Sequence, residues 1–191
     1  MAEVIEINMI CKNKLEIDRL LSFIHRQTEG TMESRNIEIM DNWEYENRII
    51  VDSKKNINDL VGDKIVCITE KYSNGYVGLS IEIIQQNNCY IMWFNVPKYD
   101  EVNQYLFLLR EFISVYKEII YDNCVLCSIG KEVVFEYEGD CYKTICNSHN
   151  IDVWILLSDV YDSVIKKDPI LFSQYNTCTQ ANFVLLYKKC K

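Results

Sequence analysis

The segment DEVNQYLFLLREFISVYKEIIY, residues 100–121, decides the predicted fold. Its apolar residues recur at alternating steps of three and one, which is the pattern of one face of an α-helix. They are Val102, Tyr105, Leu106, Leu109, Phe112, Ile113, Tyr116, Ile119 and Ile120. Asp100 and Glu101 lie in the first turn, where the helix dipole favours negative charge. The segment therefore predicts a long helix, with three strands before it and three after it.

Most other segments alternate apolar and polar residues and predict strands. We place strands at 3–11, 37–39, 45–51, 64–72, 76–86, 89–95, 124–129, 132–138, 141–146, 151–157 and 183–188. Asn-Gly at 74–75 predicts a tight hairpin turn, and Gly130-Lys131 predicts another. Asn13 and Glu16 predict a capping box for a first helix, and Ser158 predicts the cap of a last one.

The expected architecture is a single α+β domain, residues 1–191, without an internal linker. A largely antiparallel β-sheet packs against a long central helix and an N-terminal helix. Residues 64–146 would form a β-β-β-α-β-β-β core.

Composition excludes several classes of protein. The 191 residues are 49% hydrophobic, with only six glycines and two prolines, so the chain should fold. A formal net charge of -8 disfavours nucleic acid. Neither a signal peptide nor a membrane-spanning run is apparent, so no membrane partner is expected. The nine cysteines predict free thiols in a reducing cytoplasm.

No chemical motif stands out. Cys124, Cys127, Cys141 and Cys146, with His149 nearby, have spacings that a zinc site could use. Residues three apart in a strand point to opposite faces, which favours core or edge thiols instead. A Cys146–His149 dyad is a further alternative. The glycines fit no phosphate-binding loop. We therefore predict no metal, no cofactor and no catalytic residue.

One surface patch is a candidate for binding. The patch consists of Asp41, Trp43, Glu44, Tyr45 and Glu46, which belong to the stretch DNWEYE, residues 41–46. Aromatic residues ringed by acids suit a basic protein partner, since aromatics supply buried area and acids steer encounter. The alternative is that Trp43 and Tyr45 are core residues of one strand face, with Glu44 and Glu46 on its solvated face.

Phe107 is a second candidate for contact with a partner. On the predicted helix it falls among polar residues, opposite the apolar stripe. Either another layer of the protein covers it, or it anchors a partner or a second subunit. The oligomeric state does not follow from the sequence.

In size, acidic charge and the stretch DNWEYE, the chain resembles the immunity proteins of bacterial polymorphic toxin systems. The resemblance implies a non-catalytic cytoplasmic inhibitor that occludes a cognate toxin domain, often a basic nuclease. Two alternatives belong to other classes. One is an enzyme or small-molecule binder with a site between the sheet and the central helix. The other is a structural or regulatory subunit of an oligomer.

Overall fold

A computed structural model describes residues 4–28, 30–52, 55–60, 62, 64–84, 86–95, 102–117, 123–137 and 139–189. For residues 58, 95 and 102–107 it describes the backbone only. Within these ranges the strands are β1 (Ile5–Cys11), β2 (Met32–Met40), β3 (Ile49–Val51), β4 (Ile65–Tyr72), β5 (Gly75–Ile84), β6 (Asn87–Asn95), β7 (Cys124–Val134), β8 (His149–Leu157), β9 (Tyr175–Thr179) and β10 (Phe183–Lys188). The helices are α1 (Ile17–Arg26), α2 (Val102–Val115), α3 (Cys141–Asn147) and α4 (Ser158–Lys167), with a 3-10 turn at Ile57–Asp59.

All ten described strands belong to one sheet, in the order β3-β2-β4-β5-β6-β1-β7-β8-β10-β9. Each pair of neighbours is antiparallel. The N-terminal strand β1 lies in the middle, between β6 and β7. The sheet order therefore brings together residues that are far apart in the sequence.

The fold-class prediction is wrong, because a ten-stranded antiparallel sheet dominates the described chain and its four helices are short. The segment expected to form a long central helix gives α2, Val102–Val115. The buried positions at its end are Leu108, Phe112, Val115 and Tyr116, which repeat at steps of four, three and one. Leu109 and Ile113, predicted at the centre of the stripe, are only half-buried. The helix thus packs on a face rotated from the predicted one.

Helices α1 and α2 contribute to the core on one face of the sheet. Phe23 of α1 packs against Phe94 of β6 and Phe112 of α2, with ring centroids 6.1 and 5.7 Å apart. Tyr116 continues this aromatic row from Phe112 to Phe183 of β10, at 6.2 and 5.6 Å. Aromatic side chains therefore fill the contact between sheet and α2.

The second core lies on the opposite face and covers a different part of the sheet. Trp154 of β8 and Leu186 of β10 pack there with Val164 of α4 and Ile145 of α3. The same face of β2, β4, β5 and β6 has no helix over it in the described part of the chain. That uncovered area holds the candidate site.

Several local predictions need correction. Residues 141–146 form helix α3 and not a strand, because the side chain of Asp140 accepts a hydrogen bond from the Lys143 N–H and caps it. Gly130-Lys131 is not a turn, since both residues lie within β7. Residues 64–146 therefore contain β4, β5, β6, α2, β7 and α3, and not three strands on each side of a helix.

One predicted turn and one predicted helix cap also differ from the structure. In the β4–β5 hairpin Tyr72 pairs with Gly75, so Ser73 and Asn74 are the turn residues and not Asn74 and Gly75. Helix α1 has Glu16 as its N-cap residue, without a side-chain cap. Asn13 does not cap it; its backbone N–H donates to Asn123 Oδ1 instead. The predicted strands at 3–11, 64–72, 89–95, 151–157 and 183–188 are confirmed as β1, β4, β6, β8 and β10.

Candidate functional site

An open groove crosses the sheet on the face opposite α1 and α2. One cross-strand row of its floor runs from Glu38 through Cys67 and Ser80 to Ile91. The adjacent row runs from Thr69 through Gly78 and Trp93 to Glu6. A cavity of about 310 Å³ lies over these rows. Strands β2, β4, β5, β6 and β1 thus each contribute side chains to one concave surface.

The loop between β2 and β3 forms one wall of the groove. The Oδ1 atom of Asn42 accepts hydrogen bonds from the backbone N–H groups of Glu44 and Glu46, at 3.0 and 3.3 Å. Asp41 accepts from Asn47 at 2.5 Å and pairs with Lys64 at 2.9 Å. These bonds close the loop on itself and fix its shape.

Within this loop Tyr45 has a φ of 64°. A bulky side chain seldom adopts this left-handed backbone conformation, and such residues often occur at functional sites. Tyr45 lines the 310 Å³ cavity and is 59% exposed. The loop bonds therefore hold an aromatic ring at the mouth of the groove.

Trp43 separates two cavities. Its indole Nε1–H donates to the Glu82 carboxylate of β5 at 2.9 Å, and 44% of the residue is exposed. On its far side lies a second cavity of about 250 Å³, which Glu82, Glu136 and Tyr137 line. The alternative that Trp43 and Tyr45 are core residues of a strand is wrong, because both lie in the loop and are exposed.

Trp93 provides a flat surface on the floor. A Cβ atom added to Gly78, its cross-strand partner, would lie 1.9, 2.2 and 2.6 Å from Cζ2, Cε2 and Cη2 of the indole. The six-membered ring therefore covers the glycine, where any other residue would displace it. Because Gly78 has no side chain, the indole of Trp93 can pack flat against the backbone of the sheet.

Two carboxylates line the larger cavity, and they differ in their partners. Glu38 forms an ion pair with Arg48, whose guanidinium lies 5.7 Å from the centroid of the Tyr45 ring. Burial raises the pKa of Glu6, an effect that a hydrogen bond from the Val133 N–H partly offsets. Among the described residues Glu6 has no cationic partner. Glu6 is thus a carboxylate with capacity for a cation.

We call this surface the acidic groove and define it by its aromatic and acidic side chains. They are Glu6, Glu38, Trp43, Tyr45, Glu82, Trp93, Glu136 and Tyr137. The described residues that line the two cavities include no lysine, arginine or histidine. The electrostatic potential of the groove is therefore negative, and it favours cationic ligands.

The predicted patch residues have different positions. Trp43 and Tyr45 line the groove, whereas Asp41 and Glu46 take part in the bonds that shape the loop. The exposed side chain of Glu44 makes no hydrogen bond or ion pair within the described chain. Phe107 belongs to α2 on the other side of the sheet, and its side chain lies outside the described residues.

Sequence reasoning missed five residues of the groove, which are Glu6, Glu82, Trp93, Glu136 and Tyr137. A signal for two of them was present, since Glu6 and Glu82 are acids in the middle of otherwise apolar strands. Such positions occur where one face of a sheet is wet or functional. Trp93 could be placed only from the strand register that sets it opposite Gly78.

The four cysteines considered for zinc do not converge. Cys124 and Cys127 are buried in the core beneath α2, whereas Cys141 packs in the core on the other face. A bulge in the pairing of β1 with β7 lets Cys124 and Cys127 face the same core, contrary to the simple alternation assumed for a strand. Throughout the described ranges, no group of three or more His, Cys, Asp or Glu side chains could hold a metal ion.

The two histidines have different environments. His25 pairs with a buried carboxylate, whereas His149 is exposed. His25 donates from Nε2 to Glu70 at 2.8 Å, and Arg35 pairs with the same carboxylate at 2.6 Å. Tyr72 donates its hydroxyl to Glu70 at 2.9 Å. Cys146 and His149 are both exposed, with no hydrogen bond between them. In the described part of the chain, Cys146 and His149 therefore do not form the hydrogen-bonded dyad that the sequence offered as an alternative.

The chain matches no known family model, no curated protein and no solved structure. None of the helices in the described part is long and apolar enough to cross a membrane. The geometry and charge of the acidic groove are therefore the features that bear on function.

Proposed function

We propose that the protein binds a basic protein partner through the acidic groove, as an immunity protein binds and blocks a toxin domain. The observation that supports this function best is the composition of the groove. Four carboxylates and six aromatic residues line its two cavities. Aromatic anchors supply buried area in protein interfaces, and complementary charge gives specificity and rapid association.

The charge of the whole chain supports the same type of partner. A net charge of -8 steers basic proteins toward the molecule and repels nucleic acid. The bonds of Asn42 and Asp41 hold the loop in one conformation before any partner arrives. Little conformational entropy is then lost when the complex forms.

Inhibition would follow from occupation of the partner's basic surface. A nuclease binds its substrate's phosphates with lysine and arginine side chains. The carboxylates of the groove would pair with those side chains, and Trp43 and Tyr45 would fill the cleft between them. We assign this activity to the cytoplasm, where the eight described cysteines, all free thiols, would stay reduced.

Co-expression tests this proposal. The protein is expressed with the product of the adjacent upstream gene, the first candidate partner, and bacterial growth and complex formation are measured. We expect growth to be restored and a stoichiometric complex that dissociates as salt concentration rises. Failure to form a complex, or a complex insensitive to salt, contradicts binding by the acidic groove.

Charge-reversal variants locate the interface. Glu44→Lys lies beside the groove, whereas Asp162→Lys, at an exposed position of α4, makes the same change of charge elsewhere. If Glu44→Lys weakens binding and Asp162→Lys does not, the result supports the groove as the interface. Equal weakening by both variants indicates that net charge, and not this surface, determines the interaction.

A further inference from the structure

We infer that the 310 Å³ cavity is a pocket for one arginine side chain of the basic partner, whose guanidinium stacks on Trp93 and pairs with Glu6. This inference rests on the proposed function, because it specifies which group of the partner enters the groove. It also adds a requirement that the proposed function does not contain. Other basic side chains should not replace arginine in this pocket.

The floor and wall of the pocket suit a flat cation. Trp93 lies over Gly78, so the ring face away from the sheet is turned to the groove. Trp43 and Tyr45 line the same cavity from the loop. Cations bind favourably over the faces of such rings, and the planar guanidinium also stacks on them.

The acceptors suit arginine better than lysine. The Glu6 carboxylate receives one described hydrogen bond, from the Val133 N–H, and can accept two parallel bonds from a guanidinium. Thr69 and Ser80 add hydroxyl oxygens on the same floor. The guanidinium of arginine has five N–H donors in one plane, and they can bond to these acceptors at the same time. An ammonium has fewer donors and is more strongly hydrated, so it loses more on entering a half-buried site.

The rim of the groove already contains an example of this recognition within the chain. Arg48 pairs with Glu38 while its guanidinium lies 5.7 Å from the Tyr45 ring centroid. An arginine thus finds both an acid and an aromatic face at this surface. Glu6 and Trp93 are cross-strand neighbours and offer the same two groups on the floor of the groove, where no cationic side chain of the described residues pairs with Glu6.

The volume of the pocket limits its occupant. About 310 Å³ is at the lower end of the range for small-molecule sites, roughly 300 to 1,000 Å³. It suits one long side chain rather than a folded segment. Arg48 keeps Glu38 neutralised, so one additional positive charge balances the remaining carboxylate, Glu6.

Nuclear magnetic resonance of the three tryptophan indole N–H groups tests the pocket directly. The probes are N-acetylarginine amide, its lysine analogue and its citrulline analogue, which has nearly the same shape without the charge. We expect the arginine probe to shift the Trp93 and Trp43 signals in a saturable way and to leave Trp154 unchanged. Citrulline should bind at least about tenfold more weakly.

Three variants make the result specific. Glu6→Gln keeps the shape of the side chain and should weaken the arginine probe about tenfold or more. Gly78→Ala should displace the Trp93 ring and thereby also weaken binding of the arginine probe. Asp162→Asn on α4, with the same loss of charge as Glu6→Gln, should bind like the unmodified protein.

The outcomes separate this inference from the proposed function. Equal binding of arginine, lysine and citrulline, or no effect of Glu6→Gln, overturns the arginine pocket. If a basic protein still binds in a groove-dependent way, the proposed function stands without it. If the arginine probe binds but no basic protein does, the pocket stands as a site for free guanidinium compounds and the proposed function fails.

Discussion

The indole Nε1–H of Trp43 donates to the carboxylate of Glu82 across 2.9 Å, although 39 residues separate them in the sequence. This bond connects the loop after β2 to strand β5. It holds the indole as a partition between the 310 and 250 Å³ cavities. Together with the bonds within the loop, this contact fixes the position of the ring and hence the shape of the acidic groove.

Glu82→Ala should release Trp43 and weaken binding of the basic partner about tenfold, because an anchor residue loses its fixed position. Stability should change by no more than about 1 kcal/mol, since the bond is exposed. Titration calorimetry and urea unfolding measure the two effects. Glu82→Gln keeps an acceptor for the indole N–H but removes the charge. Strong binding of the partner by this variant would show that the position of Trp43 matters more than the charge of Glu82.

Glu44→Lys should slow association with the partner and reduce its dependence on salt. Its side chain is exposed and has no partner in the described chain, so the change alters charge without removing a contact. Stopped-flow measurements at several salt concentrations give the rate. Glu46→Lys is different, since Glu46 accepts from Asn42 at 2.8 Å and its replacement should also loosen the loop. An unchanged association rate for Glu44→Lys contradicts its steering role.

Binding of an arginine-bearing partner should weaken at low pH. Burial raises the pKa of Glu6, so this carboxylate takes up a proton at a higher pH than an ordinary glutamate. The cation binds the ionised form, and affinity should therefore fall as pH decreases through that raised pKa. Affinities measured between about pH 4 and 8 should show this decrease, and Glu6→Gln should reduce it. A pH profile unaffected by Glu6→Gln contradicts the assignment.

Glu70 should contribute to acid stability. Burial pushes its pKa upward, but hydrogen bonds from His25, Arg35 and Tyr72 outweigh burial and lower the pKa below its ordinary value of 4.5. A lowered folded-state pKa means that the contribution is present above about 4.5, the pKa of the unfolded state, and is lost as pH falls through the folded pKa.

Glu70→Ala should therefore destabilise the protein by about 3 kcal/mol at neutral pH, because it leaves the Arg35 charge without its partner. Urea unfolding at several pH values provides the measurement. The difference from the unmodified protein should shrink toward the acid end of the series. A constant difference over the whole pH range is the result that this explanation does not allow.

Alanine at Gly78 and at Gly130, two of the close-packed glycines, should have different consequences. At Gly130 the new Cβ would lie 2.0 Å from the backbone oxygen of Asn150, so β7 and β8 must separate. We expect a loss of about 2–3 kcal/mol. At Gly78 the new Cβ meets the Trp93 ring, which can rotate away, and about 1 kcal/mol is expected. Thermal unfolding distinguishes them, and equal losses would contradict this difference.

Sequence patterns predicted elements with strong alternation and failed where local contacts decided the structure. The predicted strand at 64–72 is present as β4, although its residues are buried on both faces of the sheet and not in simple alternation. The alternation of residues 141–146 suggested a strand, but the Asp140 cap and packing against the second core produce α3. Strand β9, Tyr175–Thr179, was missed because it is an edge strand with polar and half-buried residues.

The groove could be predicted only in part, and for a physical reason. Trp43 and Tyr45 stand together in the sequence, so their association with acids was visible. Glu6 and Glu82 join them through the strand order β4-β5-β6-β1, which local periodicity does not encode. Long-range strand pairing thus built the part of the site that sequence reasoning missed.

The central claim is that a basic partner occupies the acidic groove, and amide hydrogen–deuterium exchange of the complex tests it most directly. The comparison is between the protein alone and the protein with the partner from the co-expression experiment. Our account predicts slower exchange at 41–46 and at Trp93 and its neighbours in β6, with no change in α4. Protection at the edge strands β3 or β9, with unchanged exchange at 41–46, would contradict it.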